Sequence, residues 1–394
     1  LPTVDISIFD MDPPPHDSRS TWSIIGETVG EEPGRRFGTS VDMFSIPLQS
    51  QDVVLVGEPG FQEDSGRVNV FIGYGGSWTM APERLTVIGG FEKGSYAGEK
   101  LSGSFYQEQT GPGMMMCISV RNGIESFNTW DYRYEEGIWT DTTQVYQDNK
   151  SFTSCQVSGL TIAVGVPEED RFDEIGEPQT KETGGVRLFR YLGLEGWSWE
   201  KYEGDFTNDR FGSSLSISRD HSRMVVAGRG LVRFLDYVDL TNGFVTVQEI
   251  RLQDENAIPV VKLSGNGAIA VIHEPVDSSG WVLQAYAIEA SGWFELGQVL
   301  NETESEHSKT SVSMSFDGKR LALGYGTLND YRGEVRVYEL QDNTWELMGD
   351  PLEGENEGDL FGSSVTLSEN GYRLLVGAPN YGNRTGQVKL YEFL

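Results

Sequence analysis

A glycine that opens a run of alternating apolar and polar residues ending in an aromatic recurs seven times along this chain, and that period limits the possible folds more than any other feature. The copies begin at Gly66, Gly123, Gly185, Gly230, Gly280, Gly333 and Gly386, the last reading Gly386-Gln-Val-Lys-Leu-Tyr391. We term this strand C. Most copies are preceded by a flat apolar run, such as Val53 to Val56 or Met224 to Ala227, suited to burial on both faces and termed strand B. Strand A comes before B through tight turns such as Asp317-Gly318 and Asn370-Gly371, whose residues accept positive φ in two-residue hairpins, so A and B are antiparallel neighbours. An aromatic-led strand D follows C, headed by Trp78, Trp139, Trp199, Phe244, Trp293 or Trp345.

The last C strand runs to Leu394 and has no D after it. The stretch Thr21-Trp22 to Val29 matches Thr344-Trp345 to Leu352 position by position in character, which places the missing strand near the start. The sequence therefore predicts an all-β fold, a seven-bladed β-propeller of four-stranded blades over residues 21–394, with the last blade closed by the N-terminal strand. At about 53 residues per unit the spacing suits a four-stranded blade. Closure of this kind leaves no strand edge exposed at the join. Residues 1–20 form a Pro-rich arm, and because the sequence opens on Leu1 rather than methionine, a processed or trimmed terminus is expected.

Phe37-Gly38, Phe211-Gly212 and Phe361-Gly362 fall at the start of strand A, and Gly377-Ala378-Pro379 falls at the end of strand B. In these motifs the chain from Thr21 to Leu394 resembles the FG-GAP repeat, the unit of the integrin α-subunit head and of many extracellular propellers. It departs from the pattern in blades 2 and 5, where Tyr96-Ala-Gly98 and Ala257-Ile-Pro259 replace Phe-Gly. The resemblance implies calcium loops of the form D-x-[DN]-x-D-G between A and B. Here those hairpins offer at most one carboxylate each, so neither a metal site nor a cofactor is expected.

With 60 acidic against 30 basic residues the net charge is −30, which repels phosphate backbones and anionic membrane surfaces. Nucleic acid is not an expected partner. Nor is direct membrane insertion, because the longest apolar run, Met114 to Val120, is far shorter than the roughly 20 residues of a spanning helix. Two cysteines, Cys117 and Cys155, leave open a single bridge or two free thiols. Sequons at Asn149, Asn301 and Asn383, all read as lying between strands, favour an extracellular location or the lumen of the secretory pathway.

Only four histidines occur, and none lies in a hydrolase motif; His273-Glu274-Pro275 reads as a solvated loop after strand B. The chain is accordingly expected not to be an enzyme. Trp130, Trp197 and Trp281 stand outside the strand-D position and suit filling between blades, or stacking on sugar rings. The D-to-A and B-to-C loops, which emerge on one face, concentrate acidic residues: Glu168, Glu169, Asp170, Asp173, Glu174, Glu302, Glu304, Glu306, Glu353, Glu355, Glu357 and Asp359. This face predicts a non-catalytic, secreted or lumenal binding or scaffold module whose protein partner is basic or bridged by divalent cations, or a glycan. The alternatives are a lectin-like carbohydrate-binding propeller and a glycosidase-type hydrolase with two carboxylates at the channel mouth.

Overall fold

The computed structural model describes residues 21–46, 51–74, 77–80, 87–88, 93–108, 111–121, 125–133, 138–141, 153–168, 171–172, 178–180, 182–191, 196–239, 242–276, 280–302 and 310–394. Their strands build antiparallel sheets of four or five strands, each laid out in the A-B-C-D order. We number the sheets by their inner strands: Val41–Ile46, Leu101–Glu108, Ser154–Ser158, Ser214–Ile217, Val260–Leu263, Thr310–Met314 and Ser364–Leu367, for sheets 1 to 7. Each inner strand touches the next, and that of sheet 7 touches that of sheet 1, so the sheets stand around a common axis in a closed β-propeller. The B strands are mainly apolar because both of their faces meet a neighbouring sheet; Thr161–Val166 and Arg320–Tyr325 are buried at every position. A two-stranded ribbon, Arg171–Phe172 with Pro178–Thr180, lies in the B-to-C connection of sheet 3.

Sheet 7 is completed from the other end of the chain, as the sequence predicts. Trp22–Val29 pairs antiparallel with Gln387–Phe393, and Thr21 and Leu394 exchange backbone hydrogen bonds of 3.0 and 3.1 Å. Trp22 is buried, tilts onto the Phe393 ring at 5.2 Å and donates its indole N–H to Met348 O at 2.6 Å.

Neighbouring sheets meet through small residues. At the outer end of strand B, the Cβ of any other residue at Gly377 would lie 2.1 Å from Gly38 O of sheet 1. The same approach recurs at Gly57 to Gly98, Gly165 to Gly212 and Gly324 to Gly362. Beside each pair a strand-A serine, Ser364, Ser40, Ser154 or Ser311, donates its hydroxyl to the same carbonyl at 2.6–3.0 Å. Phenylalanine and the strand-C glycine meet alongside, since Phe37 bridges Gly386 and Phe211 bridges Gly184. Three strand-C registers need correction. Glu125, not Gly123, holds the contact position in sheet 2. Gly184, not Gly185, holds the contact position in sheet 3, and Trp281, not Gly280, stands there in sheet 5.

The cysteine alternatives resolve as a bridge. Cys117 and Cys155 form a disulfide that ties strand B of sheet 2 to strand A of sheet 3.

Candidate functional site

The register puts one residue from every inner strand at a single level of the axis: Asp42, Ser102, Gln156, Ser216, Lys262, Ser313 and Thr366. An inner strand has one edge with no neighbouring strand, and its N–H groups need acceptors. This level supplies several of them from the preceding sheet. Gly103 N donates to Asp42 at 2.9 Å, Val157 N to Ser102 at 3.1 Å, Ile217 N to Gln156 at 3.0 Å and Leu367 N to Ser313 at 2.9 Å. Serine, threonine and glutamine therefore have a structural role here. Lysine has none, because an ammonium cannot accept.

Asp42 and Lys262 stand on sheets 1 and 5, across the axis from one another and beyond ion-pair distance, yet each charge acts on the other. Asp42 is held by Gly103 N, by Met43 N at 2.9 Å and by the Thr366 hydroxyl at 3.5 Å, so donors from three sheets fix its carboxylate. Burial pushes its carboxyl above the usual range, against the pull of those donors and of Lys262. Burial likewise holds the Lys262 amine below the usual lysine range, with Asp42 as the opposing influence. The result is a fixed carboxyl facing an amine, each with its charged form disfavoured. Neither residue belongs to a motif, although a charge at a place where sister strands carry Ser or Thr is a legible signal in the sequence.

One end of the axis is spanned. The A-to-B turns of sheets 4 to 7 are joined in series by Arg219 N to Gly265 O (2.8 Å), Asn266 N to Phe316 O (2.9 Å) and Phe316 N to Glu369 O (2.8 Å). Arg219 of sheet 4 pairs with Glu369 of sheet 7 across the opening, with its guanidinium over the Phe316 ring. The D-to-A and B-to-C connections lie at the opposite face.

His273 is not a solvated loop histidine. It lies inside strand Ile269–Val276 with 1% of its surface exposed, and stacks on Trp281 at 4.5 Å with 16° between the rings. Burial lowers its pKa to about 3, so the imidazole is neutral, and among the described residues neither ring nitrogen has a partner. Trp197 packs at the seam of sheets 2 and 3 against Tyr191, and Trp130 lies in a strand whose side chains are outside the described residues.

The acidic loop residues have separate roles. Glu168 pairs with Arg210 at 3.2 Å and Glu355 with Lys389, while Glu353 and Glu357 are exposed. Asp359 is buried and shapes its own loop, accepting from Asn356 N at 3.0 Å and from the Asn356 side chain at 3.1 Å. Glu302 ends a strand; Glu169, Asp170, Asp173, Glu174, Glu304, Glu306 and Asn149 lie outside the described residues. Asn383 is exposed in a turn, whereas Asn301 is exposed within strand Gly292–Glu302 rather than between strands. Among the described residues no three His, Cys, Asp or Glu side chains gather in a way that would hold a metal ion.

A closed propeller with a polar axial site defines the class of this protein. No family model and no curated protein matches the chain. Among solved structures it is similar to a Bacteroides uniformis protein provisionally assigned as a 6-phosphogluconolactonase, with 11% identity over 87% of this chain and 92% of that one, and a TM-score of 0.57. At that identity the likeness is one of fold. It corrects the expectation of a non-catalytic binding scaffold that is not an enzyme: the same architecture is that of a protein assigned as an enzyme, so repeats and loop charge do not imply an inert module.

Proposed function

We propose that this chain is a seven-bladed, hydrolase-type propeller that cleaves an ester or lactone at its axis. The observation that carries this reading is the pair Asp42 and Lys262, a fixed carboxyl and an amine with no hydrogen-bond partner among the described residues, on inner strands across an axis spanned at one end. Asp42 as general base takes a proton from water as that water attacks the acyl carbon, and protonated Lys262 stabilises the oxygen on which negative charge collects. The acyl carbon–oxygen bond to the alcohol then breaks, and the proton held by Asp42 passes to the leaving alkoxide. Glycoside cleavage fits less well, because it uses two carboxylates and this level carries one. The Gly377–Gly38 type of contact supports kinship with FG-GAP repeats. The disulfide and the exposed sequons at Asn301 and Asn383 support a secreted or lumenal location.

The test is a panel of 4-nitrophenyl acetate, glucono-1,5-lactone and 4-nitrophenyl glycosides, assayed with wild type and with Asp42→Asn and Lys262→Met. Hydrolysis of an ester or lactone is expected, with kcat/KM falling about 10²–10⁴-fold in Asp42→Asn at unchanged melting temperature. The pH profile should be bell-shaped. Its rising limb, where Asp42 loses its proton, lies above the ordinary carboxylate range, and its falling limb, where Lys262 loses its own, lies below the ordinary lysine range. Failure of the wild type on both esters and lactones, or full activity in both variants, overturns the reading.

A further inference from the structure

The seam between sheets 5 and 6 departs from the small-residue contacts made by Gly377, Gly57, Gly165 and Gly324. At the positions of Ser364, Gly377 and Gly386 in sheet 7, sheet 5 carries Val260, His273 and Trp281. Two rings thus stand where elsewhere backbone touches backbone.

These rings are aligned with the axial site. Val260 pairs with His273, Lys262 with Val271 and Pro275 with Trp281, so Lys262, His273 and Trp281 share the face of sheet 5 that looks toward sheet 6. From the level of Lys262 to that of Trp281 is four strand positions, about 13 Å of rise, and strand C lies two strands outward from strand A, about 10 Å, so the two positions are about 16 Å apart. The indole is half-buried, with one face backed by the imidazole of His273. His273 is 99% buried within its strand and lacks a hydrogen-bond partner among the described residues, so its neutral ring serves as a fixed backing for the indole.

We propose that Trp281, backed by His273, is a stacking platform at the outer end of the same site, and that it takes a neutral polyhydroxylated ring. The proposal rests on the hydrolase reading for its reactive end and adds the substrate class: a sugar whose cleaved ester lies about 16 Å from the stacked ring, a reach of roughly three hexose units. A ring with apolar C–H faces matches an aromatic plane. An anionic ring does not suit a chain whose net charge is −30.

Calorimetry with cellobiose, which has no ester to hydrolyse, tests the platform apart from catalysis; glucose 6-phosphate serves as the anionic comparison. Wild type should bind cellobiose at least tenfold more tightly than glucose 6-phosphate. Trp281→Ala should weaken cellobiose binding at least tenfold, Trp281→Tyr less, and Trp199→Ala, which alters an exposed outer-strand indole, not at all. In an ester assay Trp281→Ala should raise KM for an acetylated cellobiose and leave 4-nitrophenyl acetate unaffected. Cellobiose binding lost in Trp281→Ala without any ester hydrolysis by wild type supports the platform while removing the hydrolase reading. Equal cellobiose affinity in wild type, Trp281→Ala and Trp281→Tyr overturns the platform, as does tighter binding of glucose 6-phosphate.

Discussion

Two seams of one ring solve the same packing problem in opposite ways. Between sheets 7 and 1, Gly377 lies against Gly38 O and Ser364 donates to that carbonyl at 2.9 Å, so two backbones meet without an intervening side chain. Between sheets 5 and 6, the corresponding positions hold Val260 and His273, with Trp281 beside them. The first seam is specified by shape and by hydrogen bonds such as Ser364 to Gly38 O and Phe37 N to Thr385 O. The second buries a polar ring whose nitrogens have no described partner, an arrangement that costs stability wherever it is not offset by a ligand. A closed ring tolerates one such seam because the others hold the sheets in place, and a costly seam beside a candidate site is where function is expected to show.

The sharpest way to break the contrast is to add volume to both seams. Gly377→Val has no space to enter, and it should cost about 3 kcal/mol or more in denaturant unfolding. Val260→Ile, one methylene larger in the looser seam, should cost under about 1 kcal/mol. Equal losses would show that the seams pack alike.

Acid sharpens the comparison next. The folded His273 titrates at about 3 and the unfolded residue near its ordinary 6.5, so as pH falls below 6.5 the unfolded chain takes up a proton that the folded chain refuses. Stability is therefore lost on acidification from pH 6.5 down to about 3, and by pH 4.5 the loss from this group is about 2–3 kcal/mol. His273→Leu should lose less stability than wild type between pH 7 and pH 4.5 in parallel unfolding titrations. Parallel curves would place the imidazole in a wet environment. The smallest effect belongs to Ser364→Ala, which removes the hydroxyl bond to Gly38 O and should cost about 0.5–1.5 kcal/mol.

What was legible in the sequence depended on whether a feature is local. The strand supplied by Trp22–Val29 could be read because its pattern repeats that of Trp345 and its surroundings. The choice between Gly184 and Gly185 could not, since both glycines satisfy the local pattern and only the approach of Phe211 from the next sheet separates them. His273 was misread for the same reason: the Glu-Pro after it suggests a turn, but the strand continues to Val276, paired with Gly280–Glu289. Asp42 and Lys262 lie in different repeats and meet only through closure of the ring, so no window of sequence contains the site. The acidic loops show the converse, because composition identified the charges but not that Asp359 is committed to its own loop and Glu355 to Lys389.

Closure by the N-terminal strand also sets a clock on synthesis. Glu27 and Gln387 are hydrogen-bonded across the last sheet although they stand 360 residues apart in the chain. At roughly 5–20 residues per second a ribosome delivers the second strand about 20–70 s after the first. Throughout that interval the strand bearing Trp22 is a nascent β-edge without its mate, while the intervening sheets can already assemble beside it. The final sheet forms only after Gln387–Phe393 has been made, which makes Trp22–Val29 the strand in longest need of a chaperone.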